Sequence, residues 1–166
     1  MLRYLRIYGA CVRFSFSRAL EFRLDFFFKV GMDVVWLIVN LVFFDVLQRH
    51  TPLLGGWDRS QVRVFAAGLF VVDAAHMTIF SSNVWWFPTY VNRGDLDYHL
   101  LRPVSSLFFL MMREFAWNSF LNLLISVGVL VWALGGLERL PDGLHLALYA
   151  TSLGLGVLLQ IGRAHV

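Results

Sequence analysis

Charged residues and cysteine are both scarce in this 166-residue chain. Charged residues make up 15% of the sequence, whereas a soluble domain usually carries about 25%. Hydrophobic residues make up 58%, and the mean hydropathy is +0.66, a composition typical of a membrane protein. Cysteine occurs once, as Cys11, which excludes an intramolecular disulfide and any metal site built from several cysteines.

Lysine is nearly absent too, since Lys29 is the only one and arginine supplies almost all the positive charge. The net charge is +3, but the basic residues do not form a nucleic-acid patch, so they indicate a membrane surface and no nucleic-acid partner. The sequence also lacks the pattern G-x-x-x-x-G-K-[ST]. The chain therefore does not bind ATP through a phosphate loop of that type.

Long apolar stretches predict an all-α polytopic membrane protein with about four transmembrane helices. The expected segments are span 1 at 24–47, span 2 at 61–82, span 3 at 107–134 and a partial span 4 at 144–160. A helix from 104 to 134 is too long for one crossing. The charged pair Arg113 and Glu114 therefore predicts that its first turns lie at or below the interface, with the crossing made by 115–134.

Residues 1–22 predict an interfacial helix rather than a signal peptide, because arginines interrupt the apolar run too often for a signal. At helical periodicity Arg3, Arg6 and Arg13 share one narrow sector, and apolar side chains occupy the opposite side. This pattern is typical of an amphipathic helix that lies in the membrane interface with a basic edge.

A few polar side chains interrupt the predicted spans. An ionisable group at this depth is costly unless it is paired or hydrated, so we expect these residues to face protein or a water-filled path. Lys29 has Asp25 or Asp33 as its internal partner, and a structural salt bridge and a transport role both stay open. We expect no metal at Asp73 and His76, since two ligands do not make a site. The intramembrane candidates are Lys29, Asp33, Asn40, Asp73, His76, Asn118 and Asn122.

The segment 83–106 predicts a loop outside the hydrocarbon that contains a short helix. Gly94 opens this helix and Pro103 stops it. Leu96 and Leu100 share one face, which suits docking into the groove of a partner. A simple polar connector between two spans would show the same glycine and proline at its ends. The candidate docking residues are Arg93, Gly94, Asp95, Leu96, Asp97, His99, Leu100, Arg102 and Pro103.

Arginine counts set the expected orientation. Eight arginines fall on the side of the N-terminus and the docking loop, and four fall on the other side. Cytoplasmic loops carry the excess of positive charge, so we expect a cytosolic N-terminus and a cytosolic docking loop.

The sequences RALEFRLDFFFKVGMDVVW (18–36) and VNRGDLDYHLLRPVSSLF (91–108), with the basic N-terminal helix, resemble a known family. They are similar to permease subunits of bacterial ABC transporters of the exporter-type, ABC-2-like superfamily, in the group of uncharacterised substrate. The resemblance covers nearly all of residues 1–160. It implies an elbow helix at 1–22 and a coupling helix at 93–103 that rests on a separate ATPase.

The resemblance also implies a second permease subunit, identical or different, in the inner membrane. ATP and Mg would bind the partner ATPase, with no cofactor on this chain. Six spans are typical of the family, so we expect this chain to be C-terminally truncated. Its last residues, 161–166 (IGRAHV), resemble a translated sequencing adaptor, and we expect them to be non-native.

The implied function is ATP-driven export of a substrate, without enzymatic activity on this chain. A non-transporting membrane scaffold with a docking loop would show the same sequence features and stays open. An intramembrane enzyme is disfavoured, because Asp33, Asp73 and His76 lack any known catalytic spacing. The sequence does not identify the substrate.

Overall fold

A computed structural model describes residues 2–50, 56–94, 101, 105–137 and 141–163. These residues form α1 Leu2–Glu21, α2 Arg23–His50, α3 Arg59–His76, α4 Ser82–Arg93, α5 Ser106–Met112, α6 Trp117–Gly135 and α7 Gly143–Arg163. A π-helical turn, Met77–Ser81, joins α3 directly to α4. Within these described ranges, four stretches are long and apolar enough to cross a membrane: Arg23–His50, Arg59–Arg93, Trp117–Gly135 and Gly143–Gln160. The predicted fold class, an all-α polytopic membrane protein, is confirmed.

Helix α3 lies at the centre of the bundle, since it packs against α2, α6 and α7. Its buried residues are mainly small, including Ala66, Ala67 and Ala74, and they allow neighbouring backbones to approach closely. Gly68 faces Tyr149 of α7, whose hydroxyl donates a hydrogen bond to the carbonyl of Val64 at 2.9 Å. Most large apolar side chains point outward, as on a surface that faces lipid.

The second spanning helix is longer than predicted, because it continues through the π turn and α4 to Arg93. The predicted loop at 83–106 is therefore helical in its first part. Pro88 lies inside α4 without ending it, since neighbouring groups in membrane helices can satisfy the backbone that a proline frees. Gly94 ends α4 in a left-handed conformation, φ 73°, and donates its N–H to Val91. It closes the preceding helix, and the docking helix that it was expected to open lies outside the described residues.

The prediction of one helix over 104–134 is wrong. The structure divides it into α5 and α6, with a non-helical stretch from Arg113 to Ala116 between them. The helix is interrupted here because tertiary contacts with other helices satisfy the backbone hydrogen-bonding groups of this stretch.

Helix α7 runs over Gly143–Arg163, 21 residues, and so extends beyond the predicted 144–160 at both ends. It includes the first three residues of the segment 161–166. The first predicted loop, 48–60, is shorter in the structure, because α2 continues to His50 and α3 begins at Arg59. Asp58 and Gln61 form a reciprocal capping box at the start of α3.

Candidate functional site

The break between α5 and α6 is held by Asn83 of α4. The Asn83 side chain accepts a hydrogen bond from the Glu114 N–H at 2.8 Å and donates one to the Glu114 carbonyl at 2.9 Å. Asn83 is only 5% exposed, and a buried backbone group without a partner is costly. This one side chain therefore replaces the two backbone hydrogen bonds that a continuous helix would have given Glu114.

Two further contacts satisfy the next residues of the break. The Phe115 N–H donates to the Ser15 hydroxyl of α1 at 3.2 Å. The Ala116 N–H donates to the carbonyl of Thr78, within the π turn, at 3.1 Å. A π turn shifts the hydrogen-bond register of a helix and often marks a functional site. Here the π turn of the second span and the break of the third meet directly.

Helix α1 is attached to the same point. Arg18 forms an ion pair with Glu114 at 3.1 Å, and the Trp117 indole N–H donates to the Val12 carbonyl at 3.2 Å. The ring of Trp117 also packs edge-on against Phe16, with centroids 4.8 Å apart. The amphipathic helix, the second span and the start of α6 are thus joined at one end of the bundle.

Tyr90 and Arg113 make a second link on this side. The Arg113 guanidinium donates to the Tyr90 hydroxyl at 3.2 Å and lies over the Tyr90 ring at 5.4 Å. We call Asn83, Tyr90, Arg113 and Glu114 the brace. It connects the two helical arms, α4 and α5, between which the predicted docking loop runs.

Arg93 and Gly94 are exposed where α4 ends. The other predicted docking residues lie outside the described part of the chain, and the docking helix itself stays a prediction. These residues are Asp95, Leu96, Asp97, His99, Leu100, Arg102 and Pro103.

Polar residues of three spans lie near one another. Asn118 of α6 and Asp73 of α3 both lie close enough to the Asp33 carboxylate of α2 to interact with it, although Asp33 is half-buried and Asp73 is exposed. Asp73 also interacts with His76, one turn along α3. We call Asp33, Asp73, His76 and Asn118 the polar cluster.

Nearby polar atoms on α3 and α6 have no hydrogen-bond partner among the residues that the structure describes. They are the His76 Nε2, the Asn122 Oδ1 and the Ser126 hydroxyl. Such atoms in a membrane interior call for water or a bound polar group.

Lys29 and Asn40 are not part of the polar cluster. Of the two predicted partners of Lys29, the structure selects Asp25, with an N–O distance of 2.7 Å. Both side chains are more than half exposed, so the pair contributes little to stability. The Asn40 amide donates to the Trp36 carbonyl of its own helix at 2.8 Å, and Trp36 is exposed. Of the three predicted candidates on α2, Asp33 is the one that lies near polar residues of α3 and α6.

The far end of the bundle holds a second group of charges that the sequence did not identify. Asp45 of α2 pairs with Arg49 at 3.0 Å and with Arg59 at the start of α3. Arg63 lies over the ring of Trp132 at 5.9 Å. These contacts tie the outer ends of α2, α3 and α6 together.

Neither a metal centre nor a reactive thiol emerges from the described residues. No group of three or more His, Cys, Asp or Glu among them is placed to hold a metal ion. Burial raises the pKa of the Cys11 thiol, although the nearby Arg113 acts in the opposite direction. The thiol is therefore held in its neutral form at neutral pH, which is the unreactive form.

Sequence reasoning missed Asn83 and Thr78. Both residues lie in an apolar stretch. An amide or hydroxyl that faces the protein interior needs a hydrogen-bond partner. For Asn83, its position in that stretch was the sequence feature that could have identified it. Nothing local predicts the π turn, because the Thr78 carbonyl accepts its hydrogen bond from the Ala116 N–H, far along the chain.

Taken together, the fold defines a multi-pass α-helical membrane protein with polar side chains gathered between its spans, as transport proteins have. The sequence profile of the ABC-2 family transporter proteins matches residues 34–164, well over half of the chain. The chain belongs to this family and is a membrane permease component of an ABC transporter. No curated protein and no solved structure matches it.

Proposed function

We propose that this chain is the permease subunit of an ATP-driven exporter in the bacterial inner membrane. Its coupling loop, residues 93–103, docks onto a separate ATPase subunit that binds ATP and Mg. A second permease subunit, identical or different, completes the transport path. Membership of the ABC-2 family supports the class, and the brace supports the mode of coupling.

The brace is the observation that carries this proposal. The coupling loop leaves α4 and returns to α5, and the brace fixes these two arms to each other through Asn83 with Glu114 and Arg113 with Tyr90. A push on the loop would therefore move both arms as one body. The same contacts continue into Ser15 of α1 and into the start of α6, so the movement would reach the spans directly.

Such a movement requires an interaction that favours one arrangement of the spans over the other, and ATP binding to the ATPase supplies it. Closure of the ATPase pair would displace the two coupling loops and bias the spans between inward-open and outward-open arrangements. The non-helical break at Arg113–Ala116 passes this displacement on, because its backbone is bonded to Asn83 of α4, Ser15 of α1 and Thr78 of the π turn.

The orientation proposed is a cytosolic N-terminus. Helix α1, the end of α4 and the break lie at one end of the bundle, and the Asp45, Arg59 and Trp132 contacts lie at the other. The first end carries the excess of arginine expected of a cytosolic side. A cysteine introduced as Asp97→Cys, with Cys11→Ser, is expected to label in inside-out vesicles and not in intact cells.

The polar cluster is proposed to line the transport path. Substitution of Asp33 by alanine removes the carboxylate that lies near Asn118 and Asp73, so we expect Asp33→Ala to reduce ATP-driven turnover of the complex severalfold. Asp142→Ala, an exposed change in the loop at the other end, is the control. Equal turnover in the two variants would contradict a role for the cluster.

A test of the whole proposal is copurification from the native membrane. The tagged chain, extracted in a mild detergent, is expected to retain an ATPase subunit whose ATP hydrolysis rises when the permease is present. A retained ATPase whose hydrolysis does not depend on the permease would favour the scaffold alternative.

A further inference from the structure

A cavity of about 300 Å³ opens between α1, the start of α2, the second span and the start of α6. Its lining includes four charged side chains, Arg18, Asp25, Lys29 and Glu114, together with the aromatic ring of Trp86. The cavity shares Asn118 with the polar cluster, and the other three members of the cluster do not line it.

The cavity is electrically balanced. Arg18 pairs with Glu114 at 3.1 Å, and Lys29 pairs with Asp25 at 2.7 Å. Each of these contacts leaves spare hydrogen-bonding capacity, because a guanidinium has five N–H donors, an ammonium has three, and a carboxylate has about four acceptor positions. The cavity can therefore satisfy a negative and a positive group at once.

The surroundings of the cavity are apolar and exposed. Helix α1 exposes Phe14 and Leu20, and Phe22, which follows α1, is exposed at the edge of the cavity. An amphipathic helix of this kind lies at the level of the lipid headgroups. Lipid tails can thus follow the outer surface of α1 while a headgroup enters the cavity.

The start of α6 adds a preference for a negative group on its side of the cavity. Ala116, at the N-cap of α6, provides no side-chain cap, and Ala116 to Asn118 border the cavity. The N-terminus of a helix carries a partial positive charge, which acts here together with Arg18 and Lys29.

We propose that this cavity binds the headgroup of a phospholipid that carries both a phosphate and a primary ammonium, as phosphatidylethanolamine does. The phosphate lies toward Arg18, Lys29 and the start of α6, and the ammonium lies toward Asp25 and Glu114. A choline headgroup cannot donate hydrogen bonds to these carboxylates, and a purely anionic headgroup meets their repulsion. The proposal uses no feature of the ATPase, so it stands or falls separately from the coupling mechanism.

The test is lipid retention by the purified full chain in mixed micelles, measured by native mass spectrometry. Phosphatidylethanolamine, phosphatidylcholine and phosphatidylglycerol are supplied in equal amounts, and soluble glycerophosphoethanolamine is tested alone. The wild-type chain is expected to prefer phosphatidylethanolamine about tenfold, which corresponds to one charge-assisted hydrogen bond. Equal retention of the three lipids would overturn the proposal, as would equally tight binding of the soluble compound, which has no tails.

Two variants assign the preference to the cavity. Lys29→Gln is expected to weaken retention of phosphatidylethanolamine about tenfold, by loss of one charge-assisted contact. Asp25→Asn is expected to reduce the preference over phosphatidylglycerol, because one of the two repulsive carboxylates of the cavity is gone. Both side chains are more than half exposed, so both variants should still fold.

Arg23→Gln, an exposed change beside the cavity, is the control and should behave as wild type. An unchanged preference in Asp25→Asn would contradict the assignment.

Discussion

Asn83 is the residue on which the helix break depends most directly. Its amide makes one hydrogen bond as an acceptor and one as a donor to the same backbone unit, at Glu114. An asparagine side chain carries the same pair of groups as a peptide bond, and this is why it can substitute for a helical neighbour. Asn83 therefore holds the break at Glu114, together with Ser15 and Thr78 at the next two residues.

Replacing Asn83 by alanine is expected to destabilise the chain by roughly 2–4 kcal/mol, because two buried backbone groups lose their partner. Asn83→Asp keeps the acceptor for the Glu114 N–H but cannot donate to the carbonyl, so its loss should be intermediate. Asn92→Ala, on the exposed face of the same helix, should leave stability unchanged. Thermal unfolding in detergent, followed by circular dichroism, measures all three. Equal Tm values for Asn83→Ala and Asn92→Ala would contradict this account of the break.

Gly68 is needed for the contact between α3 and α7. A Cβ at this position would collide with the Tyr149 hydroxyl, which is bonded to Val64. Gly68→Ala is therefore expected to lower the free energy of unfolding by about 1–3 kcal/mol, as overpacking does. Gly128→Ala is the matched control, since nothing lies within 4 Å of its added methyl group. It should be neutral or stabilising by up to about 1 kcal/mol. A tolerated Gly68→Ala would mean that Tyr149 packs elsewhere.

At the scale of whole elements, the local sequence pattern predicted the membrane spans. Contacts between distant parts of the chain determine where those spans are interrupted. The apolar runs that become α2 and α6 are visible in the sequence because burial in lipid requires about 20 consecutive apolar residues. The pair Arg113 and Glu114 indicated a change of environment, but not that the helix stops there. Its stop depends on Asn83, Ser15 and Thr78, which lie far away in sequence.

For the polar residues within the spans, too, the sequence identified the candidates but not their contacts. Asp33, Asp73 and Asn118 were recognisable as candidates, since each is a polar group in an apolar run. Which of them meet is set by the rotation of each helix about its axis, and periodicity within one helix does not fix that. Lys29 illustrates this, because its partner is Asp25 at the surface rather than Asp33 in the interior.

Helix α1 is held to the bundle largely through Trp117. Trp117→Phe removes the hydrogen bond to the Val12 carbonyl while keeping a ring against Phe16. We expect faster amide hydrogen exchange in residues 2–21, by a few fold to about tenfold if roughly 1 kcal/mol is lost. Exchange in α2 should not change. Trp85→Phe, a highly exposed change, serves as the control. Unchanged exchange in α1 would show that its ion pair and apolar contacts suffice.

At the scale of the whole molecule, the contacts divide the bundle into two ends with different roles. The end with α1, the π turn and the break is built from interruptions in helices, each satisfied by a neighbouring element. The other end is tied by the ion pairs of Asp45 and by Arg63 with Trp132. An ATPase that pushes on the first end would therefore act on contacts that join α1, the second span and the start of α6, while the second end stays joined.

Binding of the ATPase through the coupling loop is the central claim, and copurification of a loop variant tests it most directly. Asp95→Lys with Leu96→Glu reverses a charge and removes an apolar contact of the predicted docking helix. Asp142→Lys at the opposite end of the bundle is the control. The account predicts that the double variant reaches the membrane in normal amount but retains far less ATPase, while the control retains as much as wild type. Undiminished retention of ATPase by the double variant would contradict it.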